Sequence, residues 1–547
     1  MTSDDTGFAE DRLPGDQDRD MLAKEVDRRT VLRGAALGGL ALGGLPLLRA
    51  FSGATILRST ASVDVPAKRA LKGGNLNIGV AEDVVSFNPN NDLFNNYIYN
   101  RNIYDALIDY TPSLTPIPNL ATSWKISRDH TALRVNLRPK AVFQDGSPVD
   151  ARAIADNIAF AANTTTGFSN VSIAGLIKHV QIVDRETLVF RFVEATPMAK
   201  ATDVMQSLPI ISPRSLSNSA LTNKADGSGP FSLSSWTPGN QLVLKRNPRF
   251  WDPGFPQLDS AVFHIFSDAQ SMVAALSAGE LQAATYVPPN LLPSVPRNYK
   301  ILKGPGSLTY DFHLNAAKPP FTHELVRQAM QLVVDREAIV RDVLFGHSVA
   351  TVLPWGPGSP AYDPSVNAKY AFNLGKAKAM FEAAGLSSYT FTANCPSSYP
   401  ELISMAEIVK ADLNKIGFDL TINTMAIQPW AAAYYAGEFQ ILPSFDGFVG
   451  KYPTFITLNS GYRMASNPTW GNGAPPAPWV AAVSAADRAL NSVRQKSAFA
   501  AMNRALLNQA WIINIAYRES LFVSSPAVSG VVYSVDDVLE LKTAKLS

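Results

Sequence analysis

The chain has a single cysteine, Cys395, in 547 residues. That excludes an internal disulfide and leaves burial and hydrogen bonding to hold the fold. Its neighbours, Ala393-Asn394 and Pro396-Ser397-Ser398, supply no basic partner, so Cys395 reads as a buried thiol and not as a nucleophile. No apolar run reaches the roughly 20 residues a membrane-spanning helix needs. The nearest, 34–48, is diluted by Gly38, Gly39, Gly43 and Gly44 and contains Pro46. Charged residues make up only 17% of the chain and the net charge is +2, which argues against nucleic acid as a partner. The six histidines, His130, His179, His264, His313, His323 and His347, form no HxH, HExxH or close Cys/His cluster. Local spacing therefore predicts no zinc or nickel cage. A phosphate-cradling glycine loop is missing too, because Gly304-Pro305-Gly306 and Gly356-Pro357-Gly358 carry prolines that remove amide donors. No cofactor is expected.

What is present begins with Asp27-Arg28-Arg29-Thr30-Val31-Leu32-Arg33 ahead of the apolar run, which looks like a twin-arginine export signal with a cleavable apolar core. Cleavage after Ala54 or after Ala61 satisfies the small-residue rule equally. Without residues 1–54 the chain carries 41 basic and 37 acidic residues, about +4. With 46% hydrophobic residues, the length is enough for two or three domains.

Strands and helices alternate along the rest. Leu76, Ile78 and Val80 alternate with polar or small residues as in a strand, and 96–109 reads as an apolar helix. Asp145-Gly146 is a turn, and Asp150 is placed to cap a helix from Arg152 to Ala162. Strands are expected at 133–138, 187–193, 260–266 and 418–425. Helices are expected at 267–281, 326–336, 400–415 and 494–511. This alternation predicts α/β layers.

Within that pattern, Gly227-Ser228-Gly229-Pro230-Phe231 runs through two apolar-alternating segments to Asn247-Pro248-Arg249-Phe250-Trp251. This stretch resembles the signature of the extracytoplasmic solute-binding proteins of peptide and nickel ABC importers, family 5. Ser86-Phe87-Asn88-Pro89, Pro118-Asn119-Leu120-Ala121-Thr122-Ser123-Trp124, Phe143-Gln144-Asp145-Gly146 and Asp311-Phe312-His313-Leu314-Asn315 follow in the family's order. The resemblance covers roughly 73–540. It implies a fold like that of the type II periplasmic binding proteins, two lobes with a hinge and an extra peripheral domain. Domain I would comprise 73–111, 208–308 and 517–547, domain II 112–207 and domain III 309–516. It also implies a monomer that captures a di- or oligopeptide and delivers it to an inner-membrane ABC permease, after export by the twin-arginine translocase to the periplasm. No cysteine stands just after the signal, which favours a soluble form over the lipid-anchored form of some relatives.

For the ligand site the resemblance points to Ser86, Asn88, Gly229, Tyr310, Trp430, Phe445 and Asp446. From the residues alone, Ser86 and Asn88 also suit turn caps, Gly229 a tight backbone and Trp430 a core position. Peptide-binding relatives place an amine-anchoring aspartate a few residues before a Pro-rich segment, and counting back from Pro453-Thr454 puts Val449 there. Asp446 lies three residues earlier. That departure keeps opines, oligosaccharides and nickel or other metal chelates open as ligands. A hydrolase using Ser348 in Gly346-His347-Ser348-Val349-Ala350 would need a strand before the serine and a helix after it, and the flanking sequence reads otherwise.

Overall fold

The computed structural model describes residues 73–547 apart from 92–93, 167–169, 218–219, 448–449 and 459. The twin-arginine segment, both cleavage positions and Val449 lie outside the described residues.

Three sheets organise the described chain. The first has seven strands in the order Lys300–Lys303, Leu521–Ser524, Ala283–Ala284, Asn75–Val80, Ser260–Ile265, Gln241–Arg246 and Phe231–Thr237. Asn75–Val80 runs parallel to both its neighbours, and its Leu76, Ile78 and Val80 are buried as the alternation predicts. The second sheet is antiparallel throughout: Ala121–Ile126, Ala132–Leu137, Thr187–Phe192, Ile177–Ile182. Helix Ala151–Ala162 packs beside it, and the Asp150 side chain accepts from Ala153 N at 3.0 Å, the N-cap read from sequence.

The third sheet is mixed, ordered Asp419–Met425, Thr390–Pro396, Ile441–Gly447, Leu308–Leu314, Ile512–Arg518. All seven positions of Leu308–Leu314 and of Ile512–Arg518 are buried. Helices Glu324–Val333, Leu374–Ala383 and Pro400–Lys415 supply the apolar cover that a two-sided buried strand requires. The chain passes between the first and third sheets twice, from Lys303 to Leu308 and from Arg518 to Leu521.

Two elements differ from the sequence reading. The helix expected over 96–109 is Phe94–Asn100, followed by a turn and the strand Ile108–Tyr110. Asn102 explains the early stop. Its Nδ2 donates to Ile98 O and Leu539 O, each at 2.9 Å, and its Oδ1 accepts from Leu541 N at 2.9 Å. These bonds bind the turn to a distant segment and outweigh apolar periodicity. The helix expected over 326–336 is two helices, Glu324–Val333 and Arg336–Asp342, the second capped by Asp335.

The signature stretch is a structural brace. The Ser228 hydroxyl and the Trp251 indole both donate to Asp105 Oδ2, each at 2.9 Å, while Asn247 Nδ2 donates to Gly229 O at 2.8 Å. Gly229 N donates to Ile103 O at 2.9 Å, and a Cβ on Gly229 would stand 2.6 Å from that oxygen. Only glycine permits the approach.

Candidate functional site

A cavity of about 110 Å³ opens between segments of all three sheet regions. One wall is the loop that leaves Asn75–Val80 and the helix Phe94–Asn100, a second comes from Asn170, Ile173, Gln206 and Pro209, and a third from Gly447, Phe455 and Leu458. Such convergence of separate segments is usual for small-molecule sites.

Asparagines shape the first wall. Asn96 Oδ1 accepts from Val85 N and Ser86 N at 2.8 and 3.1 Å, and its Nδ2 donates to Asn91 O at 3.1 Å. Ser86 Oγ accepts from Asn88 N, Asn88 Oδ1 accepts from Asn90 N, and Asn170 Nδ2 donates to Asn90 Oδ1 at 2.9 Å. Ser86 and Asn88 thus set the loop's course and tie it toward the second sheet. Asn100 Nδ2 donates to Ser86 O at 3.3 Å, and its Oδ1, buried at the cavity wall, has no hydrogen-bond partner. A buried carbonyl left unpaired costs about 1–3 kcal/mol, which a ligand N–H or O–H would recover.

The charged groups at this wall are already paired. Arg101 Nη2 lies 2.6 Å from Asp109 Oδ1 and its Nε 2.9 Å from Glu540 Oε1. Burial works against the Arg101 cation, but Asp109, Glu540 and Asp536 outweigh it and raise its pKa. Asp536 accepts both contacts from Gln206 Nε2, at 3.1 and 2.9 Å, and burial raises its pKa. Among the described lining side chains, Asn100 Oδ1 is the buried polar atom without a hydrogen-bond partner.

Tyr310 and Phe445, cross-strand partners in the third sheet, meet elsewhere. The Arg518 guanidinium carbon lies 4.3 Å from the Phe445 ring centre, and Tyr399 stands edge-on to that ring at 4.9 Å. Burial raises the pKa of Tyr310, with Glu401 adding to it. The Tyr399 hydroxyl donates to Glu82 Oε1 at 2.9 Å, linking the loop after Asn75–Val80 to the third sheet.

Asp446 faces His313. Its Oδ2 lies 2.9 Å from His313 Nε2, and Asp311 Oδ1 lies 3.1 Å from the same nitrogen. Burial alone would depress His313, yet the carboxylates of Asp446 and Asp311 raise its pKa to about 10. Spacing along the chain did not reveal this cluster, because Asp446 reaches it from another strand. Trp430 lies on helix Ile427–Ala436, stacks on Tyr434 at 6.1 Å and donates from Nε1 to Asn394 O, and it does not line the cavity.

Ser348 Oγ donates to Tyr517 O, and the segment before it is helix Arg336–Asp342 and a turn. The strand required ahead of a nucleophile elbow is not there. Cys395 is buried, and burial raises its pKa to about 12.

Residues 115–463 match the family described as bacterial extracellular solute-binding proteins, family 5 middle. The glutathione-binding protein GsiB of Salmonella paratyphi A is 23% identical over 333 residues, 59% of this chain and 64% of the relative's length. The chain thus spans just under two thirds of that relative. The probable D,D-dipeptide-binding periplasmic protein DdpA of Escherichia coli K12 is 26% identical over 404 residues, 71% of this chain and 77% of the relative. Among solved structures, DppA from Helicobacter pylori in complex with the peptide STSA superposes with TM-score 0.75 at 21% identity, covering 87% of this chain and 99% of that one. The binding protein AgaA from A. tumefaciens R10 in complex with agropinic acid gives 0.77 at 18%, with the same coverage. These likenesses give the fold, an α/β architecture of the type II periplasmic-binding-protein class.

Proposed function

The chain belongs to the bacterial extracellular solute-binding proteins of family 5, and from that membership we propose that it captures a small solute between two lobes and hands it to an inner-membrane ABC permease. The observation that carries this reading is the unpaired, buried Asn100 Oδ1 at the wall of a cavity made by three separate segments. Residues 73–111, 208–308 and 517–547 form one lobe, 309–516 the other, and 112–207 the peripheral domain. The crossings 303–308 and 518–521 serve as the hinge. Ligand contacts shared between lobes shift an open-closed equilibrium, and moving it from 1:99 to 99:1 takes about 5.5 kcal/mol of differential binding.

The ligand is a di- or oligopeptide or a peptide-like compound, as in relatives named for glutathione and D,D-dipeptide binding. A second reading, an opine, oligosaccharide or metal chelate, draws on the engagement of Asp446 with His313 and on the carboxamide-rich wall. The protein works as a monomer in the periplasm, exported by the twin-arginine route that Arg28-Arg29 suggests, and performs no chemistry on its ligand.

Native mass spectrometry of the mature protein from the periplasm, followed by denaturation and identification of what is released, tests this. A peptide supports the first reading, and a sugar, opine or chelate the second. An empty protein whose melting temperature moves with none of these classes overturns the proposal.

A further inference from the structure

The cluster Asp311, His313 and Asp446 has a geometry that a simple ion pair does not explain. Two oxygens, Asp311 Oδ1 and Asp446 Oδ2, lie 3.1 and 2.9 Å from His313 Nε2, yet none of these three atoms makes an aligned hydrogen bond. Asp311 and His313 are wholly buried, Asp446 largely so. Two further buried polar atoms nearby are also unpaired. They are the hydroxyl of Tyr434, whose ring lies 5.3 Å from the imidazole, and Nδ2 of Asn514, the cross-strand neighbour of Asp311.

We propose that Asp311, His313 and Asp446 form a binding site for a divalent transition-metal cation, zinc or one of similar ligand preference, built into the third sheet. Tetrahedral ligands about 2.0–2.2 Å from zinc stand roughly 3.5 Å from one another and need not point hydrogens at one another. Here the two oxygens lie 3.1 and 2.9 Å from the imidazole nitrogen, and all three donors fall within 4.8 Å of one another, a small contraction from that geometry. An imidazole nitrogen with two carboxylate oxygens is a donor set that zinc accepts. The charge also balances, because two carboxylates and a neutral imidazole match a divalent cation, whereas one imidazolium leaves a buried negative charge over. Space around the donors is kept clear by Gly461, where a Cβ would stand 2.6 Å from His313 Cε1 and 2.8 Å from Asp446 Oδ2.

Asp311 and His313 sit two apart on Leu308–Leu314, so they share a face, and Asp446 comes from the adjacent Ile441–Gly447. The cation therefore clamps two central strands together. Asp446 is also one residue from Gly447, which lines the cavity. The cation is a resident of the protein and not its cargo, and the assignment stands apart from the identity of the transported solute.

The test is elemental analysis of the full mature protein, purified without a polyhistidine tag, with its melting temperature measured before and after EDTA and after zinc chloride is returned. The expected result is about one equivalent of metal, a melting temperature lowered by EDTA and restored by zinc, and visible absorption when cobalt(II) replaces zinc. Asp446→Asn and His313→Gln should lose the metal and respond to neither EDTA nor zinc. Should His313→Gln fail to fold, the parent protein and the partly exposed Asp446→Asn still decide. Parent protein that holds no metal and takes up neither zinc nor cobalt overturns the proposal, leaving the three groups as an ion-pair cluster. So does a metal that persists in Asp446→Asn and leaves with the released solute, since it then belongs to the cavity.

Discussion

The Tyr399 hydroxyl donates to Glu82 Oε1 across 2.9 Å, a single hydrogen bond between the loop that follows the central strand of the first sheet and the residue that precedes helix Pro400–Lys415. If closure brings these segments together, this bond belongs to the closed form. Tyr399→Phe keeps the ring against Phe445 and deletes the bond. A hydrogen bond to a charged group contributes about 1.5–3 kcal/mol, so ligand affinity should fall at least about tenfold with little change in melting temperature. Titration calorimetry and small-angle scattering check this; unchanged affinity removes the bond from the closure equilibrium.

Asn100→Ala removes the unpaired acceptor at the cavity wall. The expected loss is about 1–3 kcal/mol of ligand binding, larger than the loss of folding stability, because only one weak bond to Ser86 O goes with it. Calorimetry beside urea unfolding separates the two.

Asp105→Ala strands the Ser228 hydroxyl and the Trp251 indole in the interior. We expect destabilisation of about 2–4 kcal/mol in urea unfolding, and a smaller loss for Asp105→Asn, which still offers an oxygen.

Asp203 gives a pH prediction. Its carboxyl accepts from Tyr110 Oη at 2.6 Å, Lys451 N at 2.8 Å and Tyr452 N at 2.7 Å, yet burial pushes its pKa up to about 7. The unfolded chain ionises this group near pH 4, so between about pH 4 and 7 folding must keep a proton that the unfolded state releases. Its stabilising contribution is complete below about pH 4 and declines as pH rises through 7. The melting temperature of the parent relative to Asp203→Asn should therefore fall over that window. A constant difference contradicts it.

If Trp430 lined the ligand site as the sequence suggested, Trp430→Ala would weaken binding strongly while changing the melting temperature little. From its packing against Tyr434 and its bond to Asn394 O, we expect a stability loss of about 2–3 kcal/mol and unaltered affinity. Calorimetry on the folded variant decides between them.

Local signals were legible in the sequence where the cause is local. Asp150 was read as a helix cap and acts as one, and Pro400–Lys415 runs between its expected ends. The family and its fold were legible through motifs in order, although the best of these, Gly227 to Trp251, proved to be a brace around Asp105. What failed to show was whatever depends on register or on remote partners. Asn102 ended a helix by bonding to Leu539 and Leu541, far along the chain. His313 met Asp446 only because two strands lie side by side. Asn96 and Asn100 of the cavity wall fell inside the helix expected over 96–109 and do lie on a helix, but nothing in their spacing tells that Asn100 keeps a carbonyl free.

The strand Leu521–Ser524 lies inside the first sheet, between Lys300–Lys303 and Ala283–Ala284, so a chain still being synthesised has a gap there until its last segment emerges. Phe522, Leu539, Leu541 and Ala544 complete the same core. A nascent chain stopped short of residue 521 would carry Lys300–Lys303 as an unattached strand and an open apolar seam, material for a chaperone. Closure of this sheet therefore waits on residues 521–524, and the seam stays open until they are in place.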